Sequence, residues 1–171
     1  MLNIGAPAPV SASNQSPAER RIDAASRQGV IAHLAAGKPL LAVHSTLTSL
    51  GFVPEWESIL GGVWVRGTTM HPPFGSAEIG VASCGHRITE GIDDFTILDE
   101  KYTHLRLADD IEFLAWHTED GKRHPVLWSK RYGSAKVVVD ALGHDSRSYD
   151  SPAHRQLLAR SARWLVSDQG V

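Results

Sequence analysis

The chain has 171 residues, of which 42% are hydrophobic and 21% are charged, and its formal net charge is −2 at pH 7. This length fits one domain with a sizeable core, and the absence of a clustered basic block argues against a nucleic-acid partner. No run of about 18 apolar residues occurs in the sequence, so no membrane span is predicted. The single cysteine, Cys84, cannot form an internal disulfide, which fits a cytoplasmic protein.

The first elements follow an N-terminal arm or strand remnant at residues 1–15, and a single domain is expected over residues 16–171. Ser16-Pro17-Ala18-Glu19 combines an N-cap serine, a first-turn proline and a capping-box glutamate, which predicts a helix over about 17–36. The apolar run at 39–44 then predicts a buried strand.

The rest of the chain alternates short extended segments with turns before a final helix. A short helix is predicted at 54–60, and extended segments are predicted at 63–66, 76–83, 94–102, 111–116, 126–129 and 136–142. Ser151 predicts the start of a last helix over about 152–167. Helices near both ends of the chain can cover the two faces of a sheet, so we expect an α/β three-layer sandwich with a mostly parallel sheet.

Two histidines follow the most apolar of these segments. His44 ends the run at 39–44, and His144 follows the run at 136–142 after Gly143. In open α/β sheets, ligands bind beyond the carboxyl ends of the strands, so we expect both imidazoles to face one crevice. An imidazole can donate or accept a proton near neutral pH, which makes the pair a candidate acid–base centre. The alternative for each is a packed histidine that fixes a loop.

Two acidic residues, Asp99 and Glu100, end another extended segment. Neighbours in such a segment point to opposite sides, so only one of them is expected to face the crevice. We favour Glu100, because its side chain is longer and because Tyr102 shares its face; the alternative is a solvated acidic turn. His44, His144 and Glu100 could instead hold a divalent metal ion such as zinc, with one open position.

Three further residues are candidates for the walls of the crevice. Two prolines make the loop of His71 rigid, although its ring could instead pack on Trp64 or Phe74. Tryptophans such as Trp56 more often belong to the core. Ser45 would be a nucleophile only with a histidine in reach, and no Gly-x-Ser-x-Gly elbow surrounds it.

Several short motifs occur in an order that resembles the trehalose-utilisation (ThuA-like) family. They are Leu-Ala-Val-His-Ser at 41–45, Trp56 before Leu60-Gly61-Gly62, His71-Pro72, Ile88 to Phe95, Asp99-Glu100-Lys101-Tyr102, Pro125 to Trp128, Gly133, and Leu142-Gly143-His144-Asp145. The resemblance covers residues 17–167. It implies a class I glutamine-amidotransferase-like (flavodoxin-like) fold.

The resemblance also implies a function in carbohydrate utilisation, on trehalose-type disaccharides or keto-glycoside derivatives as small-molecule substrates. His44 and His144 would then be the acid–base pair, and Glu100 would orient one ring or bind a hydroxyl. Substrate contacts would come from Asp99, His71, Trp56, Tyr102 and Ser45.

Two departures bear on this expectation. Family members begin with further strand–helix elements, so we expect an N-terminally shortened domain. It would be either a truncated reading frame or a compact variant whose exposed edge is covered by a second copy of the chain. Amidotransferases carry a nucleophilic cysteine at the turn where this chain has His44, so a glutaminase is not expected. The alternative function is a non-catalytic sugar-binding or oligomer-forming module.

Overall fold

A computed structural model describes residues 23–48 and 53–167. The helices are α1 (Ala24–Ala35), α2 (Trp56–Leu60) and α3 (Pro152–Val166). The strands are β1 (Leu40–Val43), β2 (Gly62–Val63), β3 (Gly75–Val81), β4 (Phe95–Asp99), β5 (Arg106–Leu107), β6 (Glu112–Glu119), β7 (Lys122–Tyr132) and β8 (Ala135–Asp140). The predicted arm at 1–15 and the first part of the predicted helix, 17–22, lie outside the described residues.

Six of the strands form one sheet in the order β1-β8-β7-β6-β3-β4, and β2 and β5 form a separate antiparallel pair. Only β1 and β8 pair in parallel in this part of the chain; the other four pairings are antiparallel. The α/β class expected from the sequence is therefore confirmed, whereas the sheet is mixed rather than mostly parallel.

Tight turns explain why the sheet is mixed. Asp120 and Gly121 join β6 to β7 with φ angles of 49° and 71°, as a type I′ hairpin turn requires. Gly133 and Ser134 join β7 to β8 in the same two-residue manner. A connection of two residues can only join antiparallel strands, whatever the apolar content of the strands themselves.

Helices lie on both faces of the sheet. Alternate residues of β8 point to opposite faces, and Lys136 Nζ donates to the carbonyl of Trp164 at the end of α3, at 2.8 Å. Val139 lies three residues after Lys136 and therefore points to the opposite face. Trp128 pairs with Val139 on that face, and its indole N–H donates to the carbonyl of Leu60 in α2, at 2.8 Å. The second face is thus covered by α2, and the fold has three layers.

The core surrounds β8. Val137, Val138 and Val139 have no exposed surface, and burial of each valine contributes roughly 1.5–3 kcal/mol. In α1, Leu34 is the buried residue. A strand packed on both faces gives a fixed starting point for the loop that carries His144.

The described helices are too short or too polar to cross a membrane.

Candidate active site

His44 follows β1 and opens a tight 3-10 turn. Its φ of 43° is a left-handed conformation that residues other than glycine rarely adopt, and such strain is concentrated at functional sites. The ring is 5% exposed, and its Nδ1–H donates to the carbonyl of Ala141 at 2.9 Å. Burial lowers the pKa of His44. The ring is therefore neutral, and Nε2 is its unprotonated nitrogen, the one that can accept a hydrogen bond or bind a cation.

Parallel pairing of β1 and β8 brings His144 to the same place. Val43 lies opposite Asp140 in the register, so the residues that follow the two strands emerge side by side. His144 Nδ1 lies 3.3 Å from His44 Nε2, and the two ring centroids are 5.3 Å apart. The two strand-end imidazoles, 100 positions apart in sequence, thus lie in contact.

Glu100 adds a carboxylate to the two rings. Its Oε2 lies 3.0 Å from His144 Nδ1 and 3.5 Å from His44 Nε2. Its other oxygen, Oε1, lies 3.7 Å from Nε2 of the partly exposed His71. We refer to His44, Glu100 and His144 as the His–Glu cluster, and His71 lies at its outer side.

Asp99 contacts the backbone rather than the imidazole rings, and its negative charge opposes the effect of burial on the pKa of His44. The residue is 1% exposed, and its carboxylate accepts the backbone N–H groups of Glu100 at 2.8 Å, Gly143 at 2.7 Å and His144 at 3.1 Å. The expectation that Asp99 lines a substrate wall is corrected, because a fully engaged, buried carboxylate is not open to a ligand. Asp99 instead joins the end of β4 to the loop after β8.

Tyr102 completes the buried side of the cluster. Its hydroxyl donates to His44 Nε2 at 2.9 Å, and the residue is 4% exposed. Burial, together with the nearby Glu100 and Asp99, raises the pKa of Tyr102, so the hydroxyl keeps its proton. The ring of Trp64 meets that of Tyr102 edge-on at 4.9 Å between centroids.

Ser45 belongs to the turn that opens with His44, and Trp56 contacts that turn. Trp56 is 2% exposed, and its indole N–H donates to the carbonyl of Thr46 at 3.1 Å, so it supports the turn after His44 from the core. Ser45 is half-buried within that turn, where its carbonyl accepts the N–H of Thr48 at 3.1 Å. Trp56 is therefore a buried residue that supports this turn, and it also lines a cleft beside Trp64.

Cys84 is exposed and far from the cluster along the sheet. It follows Val81 at one end of β3, whereas Gly75 at the other end pairs with Asp99, the residue before Glu100. A strand of this length spans roughly 20 Å. The thiol is thus separated from both imidazoles.

An aromatic contact with His144 was not anticipated from the sequence. The ring of Phe74 lies 5.7 Å from that of His144, and the guanidinium of Arg147 lies 4.0 Å above Phe74. Arg147 donates Nε–H to both carboxylate oxygens of Asp145 and Nη2–H to Oδ2. The only signal for Phe74 was an aromatic residue after His71-Pro72-Pro73, which does not by itself predict a contact with a residue 70 positions away.

The spacing of the cluster fits a divalent cation. The three atoms His44 Nε2, His144 Nδ1 and Glu100 Oε2 are separated by 3.0, 3.3 and 3.5 Å. A tetrahedral ion with bonds of about 2.0–2.1 Å places its ligands about 3.3 Å apart, close to these values. The hydrogen bond from His44 Nδ1 to Ala141 is also the support that a ligating histidine usually has.

Solved structures with a similar fold come from several bacteria. A ThuA-like protein from Parabacteroides merdae has 18% sequence identity and a TM-score of 0.74, with 85% of this chain and 67% of that chain covered. A ThuA-like protein from Bacteroides uniformis has 18% identity and a TM-score of 0.72, covering 86% and 66%. A cytoplasmic protein from Salmonella typhimurium has 15% identity and a TM-score of 0.62, covering 86% and 63%.

At these identities the similarity shows the fold, and the chain spans about two thirds of the length of the first two structures. No curated protein sequence gives a significant match. The sequence profile of ThuA, described as trehalose utilisation, matches residues 10–165. Because this match covers most of the sequence, the chain belongs to the ThuA family.

Proposed function

We propose that this protein is a cytoplasmic carbohydrate-processing enzyme that acts on trehalose-type disaccharides or their keto-glycoside derivatives by acid–base chemistry at the His–Glu cluster. The family description supports a sugar substrate, and the cytoplasmic structural neighbour supports the location. The observation that carries the proposal is the 3.0 Å contact between Glu100 Oε2 and His144 Nδ1, beside the neutral ring of His44.

The Glu100–His144 contact suits proton transfer. Glu100 accepts the Nδ1–H of His144, which fixes the tautomer and leaves Nε2 as the basic nitrogen. The His144 side chain is 40% exposed, so a substrate can reach it. His144 Nε2 would take a proton from a sugar hydroxyl, or from a carbon beside a keto group, and return it to an oxygen of the product. Glu100 would stabilise the imidazolium between these two steps.

A second candidate is supported by the nearly equal distances among the three cluster atoms. In this candidate, His44 Nε2, His144 Nδ1 and Glu100 Oε2 hold a divalent cation. Such an ion would supply Lewis acidity toward a sugar oxygen. The residues then serve as ligands rather than proton carriers, and removal of the ion distinguishes the two candidates.

Single substitutions in the cluster test the proposal. His144→Gln and Glu100→Gln are compared with His33→Gln, an exposed histidine of α1, for turnover of trehalose and of its keto derivative. We expect the two cluster variants to lose about 10²–10⁴-fold in turnover and the control to retain it. Circular dichroism and thermal melting verify that all three variants are folded.

Chelation completes the test. Activity that survives a chelator supports acid–base chemistry, whereas activity that is lost with the chelator and restored by zinc supports the metal candidate. Unchanged turnover in both folded cluster variants would overturn the proposed site. Sugar binding without turnover in the unmodified protein would leave the non-catalytic module as the function.

A further inference from the structure

A cleft of about 330 Å³ has one wall in common with the surroundings of the His–Glu cluster, although none of the three cluster residues lines it. That wall is Trp64, whose half-buried indole lines the cleft. The same ring lies 4.9 Å from Tyr102 and 6.0 Å from His71 between centroids, and both of these residues contact the His–Glu cluster. One aromatic ring therefore lines the cleft and also packs against two neighbours of the cluster.

The polar side chains of the cleft carry one net positive charge. Arg106 donates Nε–H to Glu57 Oε1 at 2.6 Å and Nη2–H to Oε2 at 2.7 Å, so these two charges compensate each other. An arginine has five N–H donors, and three of those of Arg106 are not used by Glu57. Arg66 also lines the cleft, is exposed, and forms no ion pair with any residue in 23–48 or 53–167. Both guanidinium groups can therefore donate to an anion.

Hydrogen bonds anchor the backbone of the segment that carries Trp64 and Arg66. The N–H of Trp64 donates to the carbonyl of Leu47 at 3.1 Å. Arg66 lies in a turn. A hydrogen bond from the N–H of Thr69 to the carbonyl of Val65, at 2.8 Å, closes this turn. Thr69 Oγ1 accepts the N–H of Val65 in return, also at 2.8 Å. The arginine is thus presented by an anchored turn, which reduces the ordering cost of binding.

We infer that this cleft is a subsite for a sugar that carries an anionic substituent, a phosphate or a carboxylate. Arg66 and the free donors of Arg106 bind the anionic group, since a guanidinium matches the oxygens of either group. Trp64 provides an apolar face for the sugar ring and separates the anionic group from the cluster. This inference rests on the proposed carbohydrate function and specifies its substrate class.

Calorimetry with three matched sugars tests the inference. Glucose, glucose 6-phosphate and glucuronate are titrated into the full chain, into Arg66→Gln and into Arg87→Gln, an exposed arginine in a turn beyond β3. We expect one or both anionic sugars to bind at least about tenfold more tightly than glucose. Arg66→Gln removes most of this preference, and Arg87→Gln keeps it. The two anionic probes distinguish a phosphate from a carboxylate.

The outcomes separate this inference from the proposed function. Equal affinity for all three sugars, or an anion preference that Arg66→Gln leaves unchanged, overturns the anionic subsite even where cluster variants lose turnover. A preference that depends on Arg66, in a protein without turnover of any sugar, supports the subsite and overturns the catalytic proposal. The Trp64→Ala variant is expected to bind all three sugars more weakly. Equal affinity of the unmodified protein for inorganic phosphate and for glucose 6-phosphate would overturn the sugar-binding role of Trp64.

Discussion

Two histidine–carboxylate pairs in this protein have the same separation and different surroundings. Glu100 Oε2 and His144 Nδ1 are 3.0 Å apart, with side chains 13% and 40% exposed. Asp140 Oδ2 and His154 Nε2 are also 3.0 Å apart, with side chains 1% and 0% exposed. We call the first the exposed pair and the second the buried pair. Since the distance is equal, burial and the remaining contacts determine what each pair can do.

Every polar atom of the buried pair is engaged by the fold. His154 donates through Nε2 to Asp140 and through Nδ1 to the carbonyl of Ser148, at 3.0 Å each. Asp140 Oδ1 accepts the N–H of Leu142 at 3.0 Å. Burial alone would lower the pKa of His154, but the Asp140 carboxylate outweighs it and raises the pKa to about 9. The ring is an imidazolium at neutral pH and has no nitrogen left for a substrate, unlike His144.

The largest expected difference between the pairs is in stability. Asp140→Ala leaves the imidazolium of His154 buried without its counter-charge, so we expect the free energy of unfolding to fall by about 3–5 kcal/mol. Glu100→Ala removes a partner from a partly exposed pair and is expected to cost at most about 1 kcal/mol. Urea unfolding measures both values. Similar losses in the two variants would contradict the distinction between the pairs.

The pH dependence of stability sharpens the same comparison. The pKa of His154 is about 9 in the folded protein and near its ordinary 6.5 after unfolding. The native state therefore binds the proton more tightly, so the stabilisation is complete below about pH 6.5 and is lost as pH rises through 9. Its size is on the order of 3 kcal/mol. Urea unfolding at pH 6.5 and 9.5 should show this loss, and His154→Gln should remove most of the pH dependence in that range.

Local patterns in the sequence predicted the elements that carry these pairs. The cap at Ser151 predicted the start of α3 at Pro152, as observed, and the predicted end at 167 is one residue beyond the observed Val166. The apolar run at 136–142 identified β8. Alternation along an extended segment predicted that only one of Asp99 and Glu100 faces the crevice, and the longer side chain and the face shared with Tyr102 favoured Glu100. The helix and strand predictions succeed because their signals depend on neighbours along the chain.

Long-range contacts were beyond the sequence pattern. The strand predicted at 126–129 is observed as Lys122–Tyr132, because hairpin pairing extends β7 through polar residues. No local signal showed that the Tyr102 hydroxyl would reach His44, or that Asp99 would bind the backbone of the loop after β8. Such contacts depend on how the sheet packs, which periodicity does not record.

Asp99 provides a third test, because it positions the exposed pair without belonging to it. Asp99→Asn replaces one accepting oxygen by an N–H₂ group that faces backbone donors, so we expect a loss of about 1–3 kcal/mol in unfolding free energy. Turnover should fall as well, since Glu100 and His144 lose their common anchor. Asp93→Asn, at an exposed position, serves as the control. Unchanged stability and turnover in the folded Asp99 variant would show that the hydrogen bonds of Asp99 to the backbone of Glu100, Gly143 and His144 are not needed to position the exposed pair.

The smallest expected effect concerns the link between the two pairs. Gly143 has a φ of 103°, and an added Cβ would lie 2.6 Å from the hydroxyl of Tyr149, whose ring stacks on His154 at 5.3 Å between centroids. Gly143→Ala should therefore cost about 1 kcal/mol, from backbone strain and this close contact. Adding Tyr149→Phe removes the hydroxyl contact but leaves the ring carbon Cζ at 3.3 Å and the backbone strain unchanged, so we expect urea unfolding to show partial recovery. Full recovery would assign the cost to the contact alone and show that the loop of the exposed pair is limited by the packing of the buried one.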